Sequence, residues 1–247
     1  MKNVLILGAN SDMAKSLAYK FAKEGYNLQL AARNHGPLKR LQSDIKLRFD
    51  KTVDFYEYDA TDFNMISDFL SKLKNKPDVV IMAVGLFYTQ SSIENNSITD
   101  PVKAKNLTLT NFLGPALILE NIAAELSKSN NPTAIIGISS VAGDRGRAKN
   151  YWYGASKAGF SAFLSGLRQK YIHTKLLVMT VKPGFVATKM LQGEQTPKLL
   201  TLHPDQMADL IFSSMNKRKA VIYHWKWLII MIIIKTLPEK FFSRLKF

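Results

Sequence analysis

Seven short apolar runs alternate with amphipathic stretches of helix length along this chain, and the alternation restricts its fold more than any other feature. The runs occupy residues 4–7, 28–31, 53–56, 79–83, 134–138, 176–181 and 220–223. Between them lie residues 13–24, 37–49, 62–73, 100–128, 151–172 and 204–216, with apolar side chains at helical spacing. Runs with little polar alternation read as strands buried on both faces, which is how a parallel sheet covered by crossover helices looks in sequence. Strict strand and helix alternation therefore predicts an α/β fold, a doubly wound parallel sheet of about seven strands with helices on both faces. Its crossovers are right-handed, and its ligand crevice lies at the carboxyl ends of the strands. A length of 247 residues suits one such domain. Residues 1–223 carry the alternation, and 224–247 form a basic, hydrophobic extension.

The strand ends are where functional residues are expected. The first run leads into Gly8-Ala9-Asn10-Ser11-Asp12-Met13-Ala14 and then a helix, the place where a phosphate-binding turn aims free backbone N–H groups at a pyrophosphate. Gly8, Asn10, Ser11, Asp12 and Met13 are the candidate contacts. The competing reading is that Asp12 caps the helix and the turn binds nothing. The second run ends in Ala31-Ala32-Arg33-Asn34. A guanidinium there, with no acid beside it, favours NADP(H) over NAD(H), because it can grip a 2′-phosphate; an ordinary solvated arginine is the alternative.

Tyr153-Gly154-Ala155-Ser156-Lys157 holds a tyrosine and a lysine four residues apart, which a helix places on one face. An ammonium beside a phenol favours the phenolate, so this pair is expected to lower the Tyr153 pKa and let it exchange a proton with a carbonyl or alcohol oxygen. Tyr19 with Lys23 and Tyr171 with Lys175 share the spacing, so spacing alone decides nothing. Thirteen residues before Tyr153, however, stands Ser140 at a strand end, whereas the same offset from Tyr19 and Tyr171 lands on Ile6 and Ala158.

Two further segments join these: Lys182-Pro183-Gly184-Phe185-Val186-Ala187-Thr188 after the sixth run, and Asn111-Phe112-Leu113-Gly114 in the long helix before the fifth. Together, from residue 3 to 223, they resemble the short-chain dehydrogenase/reductase family. The resemblance implies a Rossmann-type fold, a homodimer or homotetramer, and a tetrad of Asn111, Ser140, Tyr153 and Lys157. In it Tyr153 moves the proton, Ser140 hydrogen-bonds the substrate oxygen, Lys157 also holds the nicotinamide ribose, and Asn111 positions a proton-relaying water. Pro183, Gly184, Val186 and Thr188 would place the nicotinamide. Asp59-Ala60-Thr61-Asp62 resembles the family's acidic turn beside adenine, which adds Asp59 and Ala60. Ala83-Val84-Gly85 stands where the family has Asn-Asn-Ala-Gly, which adds Ala83 and Gly85. Of the family's three turn glycines only Gly8 is present, with Asp12 and Ala14 at the other two positions, and the Asp12 carboxylate is expected to turn away from the pyrophosphate. That loss favours the alternative of a catalytically silent NAD(P)-binding sensor or scaffold; Ser140, Tyr153 and Lys157 favour an NAD(P)H-dependent oxidoreductase acting on a carbonyl or alcohol.

The chain has no cysteine and a net charge of +15. The first excludes disulfides and thiolate metal sites, and no metal is expected; with a start that runs directly into a strand, it points to a cytoplasmic protein. The second favours an anionic partner. Lys217, Arg218, Lys219, Lys226, Lys235, Lys240, Arg244 and Lys246 stand in the last 33 residues against Glu239 alone. Trp225, Trp227 and an apolar run 228–234 between basic flanks suit a segment lying in an anionic membrane interface, peripheral on the inner face, and are too short to span. A helix that covers a core or forms a dimer is the competing reading. No basic stripe interleaved with aromatics occurs upstream, so nucleic acid is not an expected partner. The ending resembles that of short-chain reductases that include the decaprenylphosphoryl-2-keto-pentose reductases, which implies a small-molecule or lipid-linked substrate such as a polyprenyl-phosphate-linked keto-sugar.

Overall fold

The computed structural model describes residues 2–95, 98–191 and 195–245. Lys246, counted above in the basic extension, lies outside them, as does the terminal Phe247. Seven parallel strands form one sheet: β1 (Asn3–Leu7), β2 (Asn27–Ala32), β3 (Val53–Glu57), β4 (Val79–Met82), β5 (Thr133–Ile138), β6 (Leu176–Val181) and β7 (Val221–Ile222). Their spatial order is β3-β2-β1-β4-β5-β6-β7. The helices are α1 (Asp12–Lys23), α2 (Leu38–Phe49), α3 (Met65–Ser71), α4 (Pro101–Thr108), α5 (Gly114–Leu126), α6 (Tyr151–Lys170), α7 (Pro204–Asn216) and α8 (Trp225–Thr236). The doubly wound sheet expected from the sequence is present.

The pleat divides the strand residues between two cores. On one face Val4, Ile6, Leu28, Leu30, Ile81, Ile136 and Met179 meet Leu17 and Phe21 of α1, Leu41 and Ile45 of α2, and Met207 and Ile211 of α7. On the other, Leu5, Leu7, Val80, Met82, Ile135 and Val178 meet Phe69 of α3, Ile118, Leu119 and Ile122 of α5, and Phe160 and Leu164 of α6. Each such side chain, fully buried, stabilises by roughly 1.5–3 kcal/mol relative to exposure, which is why the strands tolerate so few polar residues. The stretch Pro101–Leu126 is long and apolar enough to cross a membrane by composition, yet half of it is buried here, with α5 packed against the sheet as a core helix.

The strand order reverses between β1 and β4, the switch point at which a crevice opens. Strand register brings the relevant ends level: Leu7 pairs with Ala31 and Met82, so Gly8, Ala32 and Ala83 emerge along one edge. Ile138 pairs with Val181, so Ser139 and Ser140 leave the sheet beside Lys182 and Pro183.

The extension packs onto the domain. Trp227 and Met231 are buried with Val141, Phe185 and Tyr223 around them, and the Trp227 indole N–H donates to Leu200 O at 2.9 Å. Arg145 closes the end of α8 by donating to Ile234 O and Leu237 O and pairing with Glu239, its guanidinium 3.8 Å from the Phe242 ring centroid. The neighbouring Asp144 holds Lys182 and the Tyr223 hydroxyl. The opposite side of α8 exposes Trp225, Leu228, Ile229, Ile232 and Ile233.

Candidate active site

Ser140 stands immediately beyond β5, and Tyr153 lies in the first turn of α6. Two glycines bring them together: a Cβ on Gly143 would stand 2.7 Å from Ala158 N, and one on Gly154 would stand 2.8 Å from Ala142 O, so the turn after Ser140 rests directly on the α6 backbone. The Ser139 hydroxyl, 3.0 Å from Lys157 O and 2.7 Å from the Ser161 hydroxyl, ties the strand end to the same helix. Ser140 Oγ accepts from Ala142 N at 3.1 Å.

Lys157 is 3% exposed and donates from Nζ to Ile138 O at 3.1 Å, with its ammonium 6.0 Å from the Tyr153 ring centroid. Burial lowers its pKa to about 8. For Tyr153 burial raises the pKa, while a hydrogen bond from Ser140 and the charge of Arg147 pull it down. The net direction is upward, against the lowering expected of the Lys157 pair, because desolvation outweighs the Ser140 hydrogen bond and the Arg147 charge.

Asn111 reaches the site through an irregularity. Between α4 and α5 the backbone widens into a π-helical turn, Leu109–Leu113, a local bulge of the kind that often places a functional side chain. Fully buried, Asn111 donates from Nδ2 to Leu86 O (2.8 Å) and Ser156 Oγ (3.1 Å) and accepts at Oδ1 from Leu86 N (2.7 Å). It therefore braces the strand exit after β4 against α6. Gly85 lies at this junction, where an added methyl would stand 3.7 Å from Lys157 Nζ and 3.9 Å from Asn111 Oδ1.

At the cofactor end Ser11, not Asp12, caps α1, its Oγ accepting from Ala14 N at 3.1 Å. The Asp12 carboxylate turns to the far wall and accepts from Lys189 N at 2.8 Å. Gly8 has a φ of +84°, and a Cβ there would collide with Val84 N at 2.6 Å, so the turn needs glycine for its own packing as well. The residues suit a dinucleotide phosphate: Asp12 and Met13 open α1, where backbone N–H groups have no intrahelical acceptor.

These parts surround one cleft of about 1120 Å³. It is lined by Asn10, Ser11, Asp12, Met13, Ala83, Gly85, Ser140, Tyr153, Lys157, Pro183, Gly184, Val186 and Thr188. Arg33 is exposed at the end of β2, outside the cleft wall. Asp59 closes its own turn by accepting from Thr61 N and Oγ1, and Ala60 O lies where a Cβ on Gly114 would be, so both sit behind the cleft rather than in its wall. Sequence reasoning missed Arg147, Gln90, Asn150 and the α8 side chains Trp227, Ile230 and Ile234, all of which line it.

A profile of the short chain dehydrogenase family matches residues 2–198. An uncharacterized oxidoreductase of Mycobacterium tuberculosis is 27% identical over 246 residues, covering 98% of this chain and 96% of that protein. An NADP-dependent 3-hydroxy acid dehydrogenase of Schizosaccharomyces pombe is 26% identical over 235 residues, covering 90% and 89%. Among solved structures, a short-chain dehydrogenase from Sphingobium yanoikuyae in complex with NADPH shares the fold at a TM-score of 0.79 and 21% identity, covering 97% of each chain. The chain belongs to the short-chain dehydrogenase family and is an NAD(P)-dependent oxidoreductase acting on CH–OH and C=O groups.

Proposed function

We propose that this chain is an NADP(H)-dependent carbonyl reductase that takes an amphiphilic, lipid-linked substrate at an anionic membrane surface. The observation that carries the reading is the double use of α8. Its inward residues Trp227, Ile230 and Ile234 wall the cleft that holds Tyr153, while Trp225, Leu228, Ile229, Ile232 and Ile233 face outward. A helix apolar on both sides needs an apolar neighbour on each. At 12 residues α8 is ~18 Å long, well short of a bilayer core of ~30 Å, so it suits the interface rather than a crossing. Lys235 and Lys240 are exposed at the end of α8 and just beyond it, each worth roughly 1 kcal/mol near anionic lipid. An apolar chain lying in that surface would have a short route along α8 to the reacting end, which suits a polyprenyl-phosphate-linked keto-sugar.

NADP(H) is favoured by Arg33, which is free to meet a 2′-phosphate, and by the relative whose name specifies that cofactor. Reduced cofactor, when bound, supplies the hydride that reduces the carbonyl carbon as the nicotinamide is oxidised. Tyr153 gives its hydroxyl proton to the substrate oxygen, so that C=O becomes CH–OH. Ser140 hydrogen-bonds the same oxygen, Lys157 keeps a positive potential beneath the phenol, and Asn111 holds Leu86 and Ser156 so that α6 and the β4 exit keep their distance. A protein working this way is cytoplasmic and peripheral on the inner membrane face.

Cosedimentation with anionic and neutral vesicles tests the surface. Full-length protein should bind anionic vesicles and release with salt, and the double substitution Ile229→Glu, Ile233→Glu should keep it in the supernatant. If the wild type ignores anionic vesicles and the substitutions split a dimer or tetramer instead, α8 is a subunit interface and the lipid-linked substrate loses its support.

A further inference from the structure

Beyond Tyr153 the cleft contains a cation that the reaction as described does not use. Three arginines among the described residues are half-buried: Arg145, Arg147 and Arg168. Arg145 donates to Ile234 O, Leu237 O and Glu239, and Arg168 donates to Val178 O, Thr180 Oγ1 and Ala220 O. The Arg147 side chain donates to no protein atom among the described residues. A guanidinium carries five N–H donors in a fixed fork, and this one stands in the cleft wall open to an acceptor from the cleft. Burial holds the Arg147 pKa below its usual value, and the group stays cationic throughout the working range.

The acids that line the cleft or stand near Arg147 in sequence have other partners. Glu94, on the same wall, accepts from Gln90 Nε2 at 2.6 Å and from the Tyr151 hydroxyl at 2.7 Å. Asp144 is held by Lys182 and Tyr223, and Asp12 by Lys189 N. Gln90 Oε1 and Asn150 Oδ1, buried and without a partner among the described residues, line the same cleft; as acceptors they suit hydroxyl groups of a substrate and leave the oxyanion to Arg147. Gln90 N donates to Lys149 O, between Arg147 and Asn150, so the three share one stretch of wall, and the Arg147 charge acts on Tyr153.

Building on the reductase reading, we propose that Arg147 receives an oxyanion of the substrate, a carboxylate or a phosphate carried within a few bonds of the reacting carbonyl. A planar fork gripping two oxygens would fix the carbonyl relative to Tyr153 and Ser140, and the apolar remainder of the substrate would run toward Ile230 and Ile234.

The test compares charged and neutral forms of one carbon skeleton. A medium-chain 3-hydroxyalkanoate and its methyl ester are oxidised with NADP⁺, and a 2-hydroxyalkylphosphonate with its dimethyl ester reports on phosphorus oxyanions. The wild type should prefer one acid over its ester in kcat/KM by roughly ten- to a hundredfold, the worth of a charge-assisted hydrogen bond. Arg147→Met should abolish that ratio, Arg147→Lys should keep part of it, and which acid is preferred identifies the oxyanion. A wild-type ratio near one overturns the proposal while leaving the reductase reading intact. So does an Arg147→Met variant that slows acid and ester equally and moves the pH profile, since the guanidinium would then act only through Tyr153, or one that weakens NADPH binding instead. If no probe turns over, calorimetric titration of octanoate and methyl octanoate into the NADPH-loaded wild type and Arg147→Met decides the same question. Preference for octanoate that the substitution removes supports the oxyanion site even where the reductase reading fails, and equal binding overturns it.

Discussion

Replacing Lys157 with methionine should stabilise the protein. Methionine keeps the length and apolar stem of lysine and removes the buried ammonium. The folded state lowers the Lys157 pKa from about 10.5 to about 8 through burial, so holding the charge inside costs ~3 kcal/mol at about 1.36 kcal/mol per unit. Loss of the hydrogen bond to Ile138 O returns about 1–2 kcal/mol of that. The net gain at neutral pH is ~1–2 kcal/mol, which for a chain of this size raises Tm by about 2–8 °C. The pH dependence is the sharper readout. Below pH 8 both folded and unfolded states carry the charge, and the folded state bears the full penalty. Between pH 8 and 10.5 the unfolded lysine keeps its proton while the folded one loses it, so wild-type stability rises with pH relative to the variant. The gap between them should therefore be widest at neutral pH and close as pH passes 10. Urea denaturation of both proteins across that range measures it. A variant less stable than wild type at neutral pH, or a gap that stays constant from pH 7 to 10.5, refutes the burial argument.

Two other substitutions probe the cleft wall beside α8 and the end of β2. Gly184→Ala would place a methyl 1.9 Å from Cε2 and 2.0 Å from Nε1 of Trp227, so it should cost roughly 1–3 kcal/mol by thermal denaturation and loosen α8 from the domain, with Trp227 fluorescence shifting toward that of an exposed indole. Arg33→Ala should weaken NADPH binding about tenfold or more in direct titrations and change NADH binding far less, because only the 2′-phosphate contact is lost.

The sheet was legible because strands covered on both faces have few polar residues to disguise them; the run 79–83 and strand Val79–Met82 agree almost residue for residue. The helix expected over 100–128 was also legible as a long apolar element, but the π turn at Leu109–Leu113 was not, since one extra residue per turn barely alters hydrophobic periodicity. A polar Asn111 within that apolar stretch was the visible trace. Trp225 and Trp227 looked alike in sequence, yet two residues apart on a helix they point to nearly opposite sides, and they are 61% and 4% exposed. Arg145, Arg147 and Lys149 form an alternating basic stretch after Ser140 that resembles a solvated loop. Only the packing of α8 and α6 separates the structural Arg145 from the unpaired Arg147. Asp12, which looked like an obstacle to a pyrophosphate, became intelligible once Lys189, distant in sequence, was seen to take its carboxylate.

Tyr153 is the group that protonates the substrate oxygen in the proposed reaction, and Tyr153→Phe isolates that hydroxyl. Single-turnover oxidation of pre-bound NADPH by a ketone, followed by nicotinamide absorbance, should slow by at least about a hundredfold in the variant, while NADPH affinity, titrated separately, stays within a few-fold of wild type. A variant that oxidises NADPH at the wild-type rate, or that loses turnover only because it no longer binds the cofactor, would contradict the assignment of the proton to Tyr153.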